Sequence, residues 1–291
     1  MLYLIFIVIN YLRLLRVNHW IKNVLIFAPL FFAGGFFDPE NFQKSLVVFG
    51  VFSLLASMVY IINDIVDLKS DQNHPKKKNR PLASGKISIF SATLFLVFLS
   101  GFVIVSNFYL FINDFFSWKV LFVLSLYLVM NLLYSFKLKQ IPVVEIMVVA
   151  FFYLIRVYVG AEAVGVMLSH WIIICTFFIA LFLTVAKRRS ELVDNSSRSV
   201  LSKYSISMLD FYLIVSVSLA ILSYTLFASL SGVKYLLYSF LIVCFALFRY
   251  VFLIYSGVNT ENPEKLLFKD FWLVLSFFVW CIFLLASYYL N

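Results

Sequence analysis

Charged side chains occupy only 13% of this 291-residue chain, about half the share of an ordinary soluble domain. With 64% of residues hydrophobic and a mean hydropathy of +1.01, too little polar surface exists to face water, which excludes a soluble globular fold. Cysteine is nearly absent. Cys175, Cys244 and Cys281 stand singly in apolar stretches, with no short spacing for a metal site or a disulfide framework, and read as packing or lipid-facing residues. The three histidines, His19, His74 and His170, are equally dispersed, so no helical His pair marks a metal centre. No polar linker or low-complexity segment divides the chain, and a single membrane domain over residues 1–291 is expected. Strict apolar–polar alternation is missing too, which disfavours a β-barrel.

What the sequence holds instead is a series of apolar runs near the 20 or so residues that a helix needs to cross a bilayer. Breaks at charged and turn-rich segments divide them into nine expected spans, about 21–37, 45–62, 89–110, 118–136, 141–159, 170–186, 209–229, 234–256 and 271–290. The fold class is therefore an all-α polytopic membrane protein. Leu2 to Ile9 are apolar, but Arg13 and Arg16 follow them instead of preceding them. That segment reads as an interfacial or first-span helix leading to Trp20 at headgroup depth, not as a cleaved signal. The net charge of +9 would suit nucleic acid in a soluble chain; here it orients the protein in lipid. Eighteen of the 23 Lys and Arg fall in the N-terminal segment through Lys22 or in the loops after spans two, four, six and eight. By the positive-inside rule these segments face the cytoplasm, and the bacterial cytoplasmic membrane is the expected location.

Chemistry is sought in the two longest of those loops, 63–88 and 187–208. The run Asn63-Asp64-Ile65-Val66-Asp67-Leu68-Lys69-Ser70-Asp71 places carboxylates at i, i+3 and i+7, within an arc of about 60° on one helix face. Three converging carboxylates repel one another unless a cation joins them. Hard oxygen ligands of this kind suit Mg2+, which typically binds through a few carboxylates plus substrate phosphates. The plainer alternative is a solvated helix end whose charges pair with neighbouring lysines. Against it, His74-Pro75-Lys76-Lys77-Lys78-Asn79-Arg80-Pro81 supplies a cationic loop beside the acids. Metal on one side and fixed cations on the other make a phosphate clamp.

Residues 63–81 resemble the first motif of the UbiA superfamily of intramembrane prenyltransferases, Asn-Asp-x-x-Asp-x-x-x-Asp followed by Arg-Pro. The nine-span layout is also similar, so the resemblance covers nearly the whole chain and implies a UbiA-type helical bundle. The family's aromatic prenyltransferases carry a second Asp-x-x-x-Asp after span six, whereas this chain has Lys187-Arg188-Arg189-Ser190-Glu191-Leu192. One Glu among three cations suits additional phosphate oxygens better than a second metal. Together with Trp20-Ile21-Lys22-Asn23, Val144-Glu145-Ile146 and Tyr153-Leu154-Ile155-Arg156, that departure resembles the decaprenyl-phosphate phosphoribosyltransferase branch.

The branch implies transfer of 5-phosphoribose from 5-phosphoribosyl 1-diphosphate to a polyprenyl phosphate in a membrane, with release of diphosphate, for an envelope glycolipid precursor. On this likeness Asn63, Asp64, Asp67 and Asp71 would hold Mg2+ and the 1-diphosphate, Arg80 and Lys77 would contact phosphate, and Lys187, Arg188 and Glu191 would bind the phosphoribosyl part. Arg189 departs from the branch's usual Tyr, and Val17-Asn18-His19 from its Pro-Arg-Gln. Lys22 either meets the acceptor phosphate or reaches to the interface as an anchor.

Two buried charges remain. Arg156 lies deep in span five, where an Arg costs about 2.5–3.5 kcal/mol by insertion scales and requires a partner. Glu145, eleven residues earlier, returns to within about 20° of the same face but lies some 16 Å away along the axis. No direct pair forms, and both are expected to meet a polar interior or substrate. Two other functions stay open: a prenyltransferase moving a prenyl group from its diphosphate to an aromatic or glycerol-phosphate acceptor, and a transporter. Assembly of several copies is also left open.

Overall fold

The computed structural model describes residues 2–35, 37–73, 77–194, 199–257, 266 and 269–289. His74, Pro75, Lys76, Arg198 and Lys265, all expected in charged loops, lie outside the described residues. Every regular element among the described residues is helical. Eight are long and apolar enough to cross a membrane: α3 (Pro39–Val66), α5 (Ile89–Ile112), α6 (Trp118–Phe136), α7 (Val144–Val164), α8 (His170–Val193), α9 (Ile206–Leu230), α10 (Phe240–Tyr255, extended by a 3-10 turn over Leu236–Ser239) and α11 (Phe271–Tyr289). The chain is thus an integral membrane protein. The shorter helices are α1 (Leu2–Leu14), α2 (Ala28–Phe32) and α4 (Leu68–Gln72).

Helix starts follow short polar residues, as capping chemistry dictates. Asp38 accepts from the Glu40 N–H at 3.0 Å with Pro39 at the first helical position of α3, Ser88 caps α5, Ser169 caps α8 and Ser205 caps α9. The chain forms two compact units, Met1–Phe136 with Ile155–Val166, and Lys137–Leu154 with Met167–Asn291. Helix α7 contributes its first residues to the second unit and the remainder to the first.

The first unit is organised on α3, which packs against α5, α6 and the N-terminal segment. Residues 21–37 are not one spanning α-helix: Val17–Phe27 is 3-10, followed by the five-residue α2. Eleven residues is long for this conformation, and the side chains show why it forms. Trp20, Asn23 and Ile26 are spaced by three and therefore share one face of a helix with three residues per turn. Trp20 Nε1 donates to Ser57 Oγ at 3.0 Å, Asn23 Nδ2 donates to Ser53 Oγ at 3.0 Å, and the Phe27 ring lies 5.7 Å from Phe49 and 5.8 Å from Phe42. As the segment advances its partners on α3 recede, so it runs antiparallel to α3. Trp20 is hydrogen-bonded inside the bundle, not merely seated at the interface.

Gly160 of α7 permits this packing. A Cβ there would stand 2.0 Å from the Ile26 carbonyl oxygen and 2.9 Å from its carbon, backbone atoms that cannot rotate away. Gly160→Ala is expected to destabilise by about 1–3 kcal/mol, as overpacking does, despite the roughly 1 kcal/mol that Ala's helix propensity returns. Thermal unfolding in detergent checks this; an unchanged or raised midpoint would contradict the packing.

In the second unit α8 and α9 pack along their length around Phe182, Val185, Ala186, Leu209, Leu213 and Tyr250. The Arg249 guanidinium grips Asp270 through Nε at 3.2 Å and Nη2 at 2.7 Å, while Asp270 also accepts the Leu273 N–H at 3.0 Å and so caps α11. The hydrogen bonds from Arg249 hold the Asp270 carboxyl below its ordinary range. All three cysteines are free, with Cys175 buried, in keeping with their expected role in packing.

Candidate active site

The acidic motif sits where α3 ends and α4 begins. Asp67 is the residue between them, with φ −87° and ψ 7°, so the single helical face expected for the three carboxylates is interrupted. Among the described residues no three His, Cys, Asp or Glu side chains are gathered to hold a metal ion. The convergence expected of Asp64, Asp67 and Asp71 is replaced by an ion-pair array. Arg80 Nη1 reaches Asp64 Oδ1 at 3.1 Å and Asp71 Oδ2 at 2.5 Å, and Arg16 Nη2 hydrogen-bonds the same Asp64 oxygen. Asp64 and Asp71 are both 2% exposed. Carboxylates this deeply buried require cationic partners, and here two guanidiniums balance two acids. Asp67 is half-buried.

Arg16 is the site residue that the sequence did not single out. It follows α1 in the left-handed region, with φ 52°, and its guanidinium lies 4.8 Å from the centre of the Tyr60 ring. The only sequence signal was its place just before Trp20-Ile21-Lys22-Asn23. Asn63 carries a different mark: its Oδ1 is buried and has no hydrogen-bond partner. An orphaned amide oxygen beside Asp64 fits the hard oxygen set that a divalent cation takes. The residues present therefore suit Mg2+. Lys22 is half-buried, and Lys77 is exposed in the 3-10 turn Lys77–Asn79.

Arg156, 5% exposed, finds its partners within the first unit. Its Nε donates to Asn23 Oδ1 at 2.8 Å, and its guanidinium lies 5.1 Å and 5.5 Å from the Phe52 and Tyr127 ring centres. Desolvated cation–π contacts of this kind offset part of the cost of burial. Asn23 thus joins Ser53 to Arg156 and ties the 3-10 segment to both α3 and α7.

In the second unit Arg188, 3% exposed, lies between two acids. Its Nε donates to Glu145 Oε1 at 2.8 Å and Oε2 at 3.0 Å, and its Nη1 to Glu191 Oε2 at 2.6 Å. Lys187 Nζ stands 3.9 Å from Glu191 Oε1. The third cation expected here is engaged elsewhere: Arg189 Nε pairs with Asp210 at 2.5 Å and its guanidinium lies 4.5 Å from the Tyr255 ring centre. Among the described residues the group holds Lys187, Arg188, Glu191 and Glu145, with Glu145 as the member that the loop sequence does not reveal. Glu145 and Arg156, expected to face a common polar interior, each meet protein partners within their own unit.

Two fixed guanidinium–carboxylate groups, one with an orphaned amide oxygen, can hold phosphate oxygens and a divalent ion. The model of the UbiA prenyltransferase family matches residues 24–282. The decaprenyl-phosphate phosphoribosyltransferase of Mycobacterium tuberculosis is 33% identical over 94% of this chain and 92% of its own. That of Mycolicibacterium smegmatis is 30% identical over 96% and 92%. A UbiA homolog from Archaeoglobus fulgidus, solved with DMAPP and Mg2+, superposes with a TM-score of 0.73 at 16% identity over 96% of this chain and 98% of that one, a likeness of fold. Helical architecture, the acidic motif at the end of α3 and the family match over most of the chain agree: this protein belongs to the UbiA prenyltransferase family.

Proposed function

We propose that this protein transfers 5-phosphoribose from 5-phosphoribosyl 1-diphosphate to a polyprenyl phosphate, releasing diphosphate, with its active site on the cytoplasmic face and the whole chain serving as one transferase. The observation that carries this reading is the buried Arg188 clamped by Glu145 and Glu191. A fixed guanidinium occupies these two carboxylates, so the second loop offers a cation already in place to meet phosphate oxygens. The relatives at 30–33% identity, named decaprenyl-phosphate phosphoribosyltransferases, support a phosphoribosyl group and a polyprenyl phosphate as the reacting partners.

Asn63, Asp64, Asp67 and Asp71 would hold Mg2+, which when bound supplies positive charge to the departing diphosphate. Arg80, Arg16 and Lys77 neutralise further charge on those oxygens as the bond at ribose C1 breaks and an oxocarbenium-like centre develops. Lys187 and Arg188 take the 5-phosphate. The acceptor phosphate is already ionised near neutral pH, so the site needs no strong base. Attack opposite the diphosphate inverts the anomeric centre.

Membranes containing the protein, given labelled phosphoribosyl diphosphate and polyprenyl phosphate, are expected to form labelled lipid with Mg2+ and to lose at least about 99% of that transfer on chelation. Transfer that survives metal removal would refute the metal assignment. Labelling only from a prenyl diphosphate would instead establish a prenyltransferase.

A further inference from the structure

The second unit contains a strained turn that the mechanism above does not use. Pro142, Val143 and Val144 close an i to i+2 hydrogen bond, Val144 N–H to the Pro142 carbonyl at 2.7 Å, with Val143 at φ 66°. A γ-turn of this hand is rare and strained for any L-residue, and a β-branched side chain in the positive-φ region adds to the strain. Such a conformation persists where surrounding structure enforces it. Here one side chain does so: the Val143 N–H donates to the Tyr204 phenolic oxygen at 2.6 Å. Tyr204 follows the 3-10 turn Ser199–Lys203 after α8 and is 6% exposed.

The strained turn leads directly into α7, whose second residue is Glu145, and the Glu145 carboxylate receives the Arg188 guanidinium. The first hydrogen bonds of that helix, Glu145 N–H to Ile141 and Met147 N–H to Val143, tie the helix entry to the turn. Burial first, then the nearby Glu145 carboxylate, hold the Tyr204 phenol above its ordinary value against the opposing bond from Val143. It therefore stays a neutral acceptor at physiological pH.

We infer that Tyr204 is a positioning residue: by holding the Val143 turn in its strained form it aims Glu145 at Arg188 and so sets the phosphate-binding guanidinium. The inference rests on the assignment of the Lys187–Glu191 group to phosphate binding. It predicts a conditional requirement. The phenolic oxygen matters only while residue 143 resists the positive-φ conformation, and glycine accepts that conformation without strain.

The test is a cycle of Tyr204→Phe, Val143→Gly and the double variant, each in the full chain; Tyr204→Phe keeps the ring and so the packing. Tyr204→Phe is expected to raise KM for phosphoribosyl diphosphate about tenfold, the scale of one lost hydrogen bond. Its kcat and KM for polyprenyl phosphate should stay within about twofold. Val143→Gly should resemble the wild type, and the double variant should return KM to within about twofold of Val143→Gly alone. A parallel readout needs no turnover: phenylglyoxal labelling of Arg188, followed by mass spectrometry, should speed up in Tyr204→Phe and slow again in the double variant. A double variant as impaired as Tyr204→Phe, or Arg188 labelling that ignores Tyr204, would overturn the inference. Absence of phosphoribosyl transfer in the wild type with Arg188 labelling still following the cycle would refute the function alone.

Discussion

Asp64→Ala is expected to reduce lipid labelling from phosphoribosyl diphosphate by about 100- to 1000-fold, the scale of removing a single fixed electrostatic contact to a developing negative charge. Asp64 is the hub of the first group, touching both Arg16 and Arg80. Its loss removes a candidate metal ligand, takes this carboxylate from Arg16 and leaves Arg80 with Asp71, so that a released guanidinium can bind diphosphate in an unproductive pose. The variant should therefore lower kcat more than it raises KM, a split that distinguishes lost transition-state charge from lost binding. Asp67→Ala is the informative companion. Asp67 is a candidate metal ligand, and its loss should slow transfer while the Arg16–Asp64–Arg80–Asp71 array persists. Asp64→Ala transferring at more than a tenth of the wild-type rate would remove this carboxylate from the mechanism.

A second large effect should appear in stability. Glu145 is 0% exposed and is a direct partner of Arg188, itself 3% exposed. Glu145→Ala leaves a guanidinium buried with part of its compensation gone, which typically costs about 3–5 kcal/mol. For a chain of this size that corresponds to a fall in Tm of roughly 5–8 °C. Glu145→Ala/Arg188→Ala should recover part of the loss, because removing both charges is cheaper than stranding one. A double-mutant cycle would then give a coupling of about 2 kcal/mol or more; additivity of the two substitutions would mean that the pair is not energetically joined.

The acidic motif was legible because its spacing and its neighbours at Lys77 and Arg80 lie in one stretch of chain. The partners of its acids were less so. Asp64 recruits Arg16 from 48 residues away, through a left-handed residue that no periodicity announces. Helical spacing correctly denied Arg156 a direct pair with Glu145, but it could not say that Arg156 would take Asn23 and Glu145 would take Arg188. Such pairings depend on packing between elements. The 3-10 form of Val17–Phe27 was hidden for a related reason: hydropathy marks an apolar run, while the choice between three and 3.6 residues per turn is made by what Trp20, Asn23 and Ile26 must meet. Lys187-Arg188-Arg189 read as one cationic patch, yet Lys187 and Arg188 share Glu191 while Arg189 turns to another acid, and only Asp210 on the neighbouring helix explains why it leaves.

The order of synthesis gives the two charge groups different histories. Arg16 precedes Asp64 in the chain and Asn23 precedes Arg156, so in the first unit a partner already exists when each of these buried groups emerges from the ribosome. Glu145 is made 43 residues before Arg188, about 2–9 s at typical elongation rates. During that interval the entry of α7 carries Glu145 while Arg188 has not been synthesised. Nascent chains that end near residue 170 therefore lack the Glu145–Arg188 pair, and the second unit can settle only once α8 has been delivered.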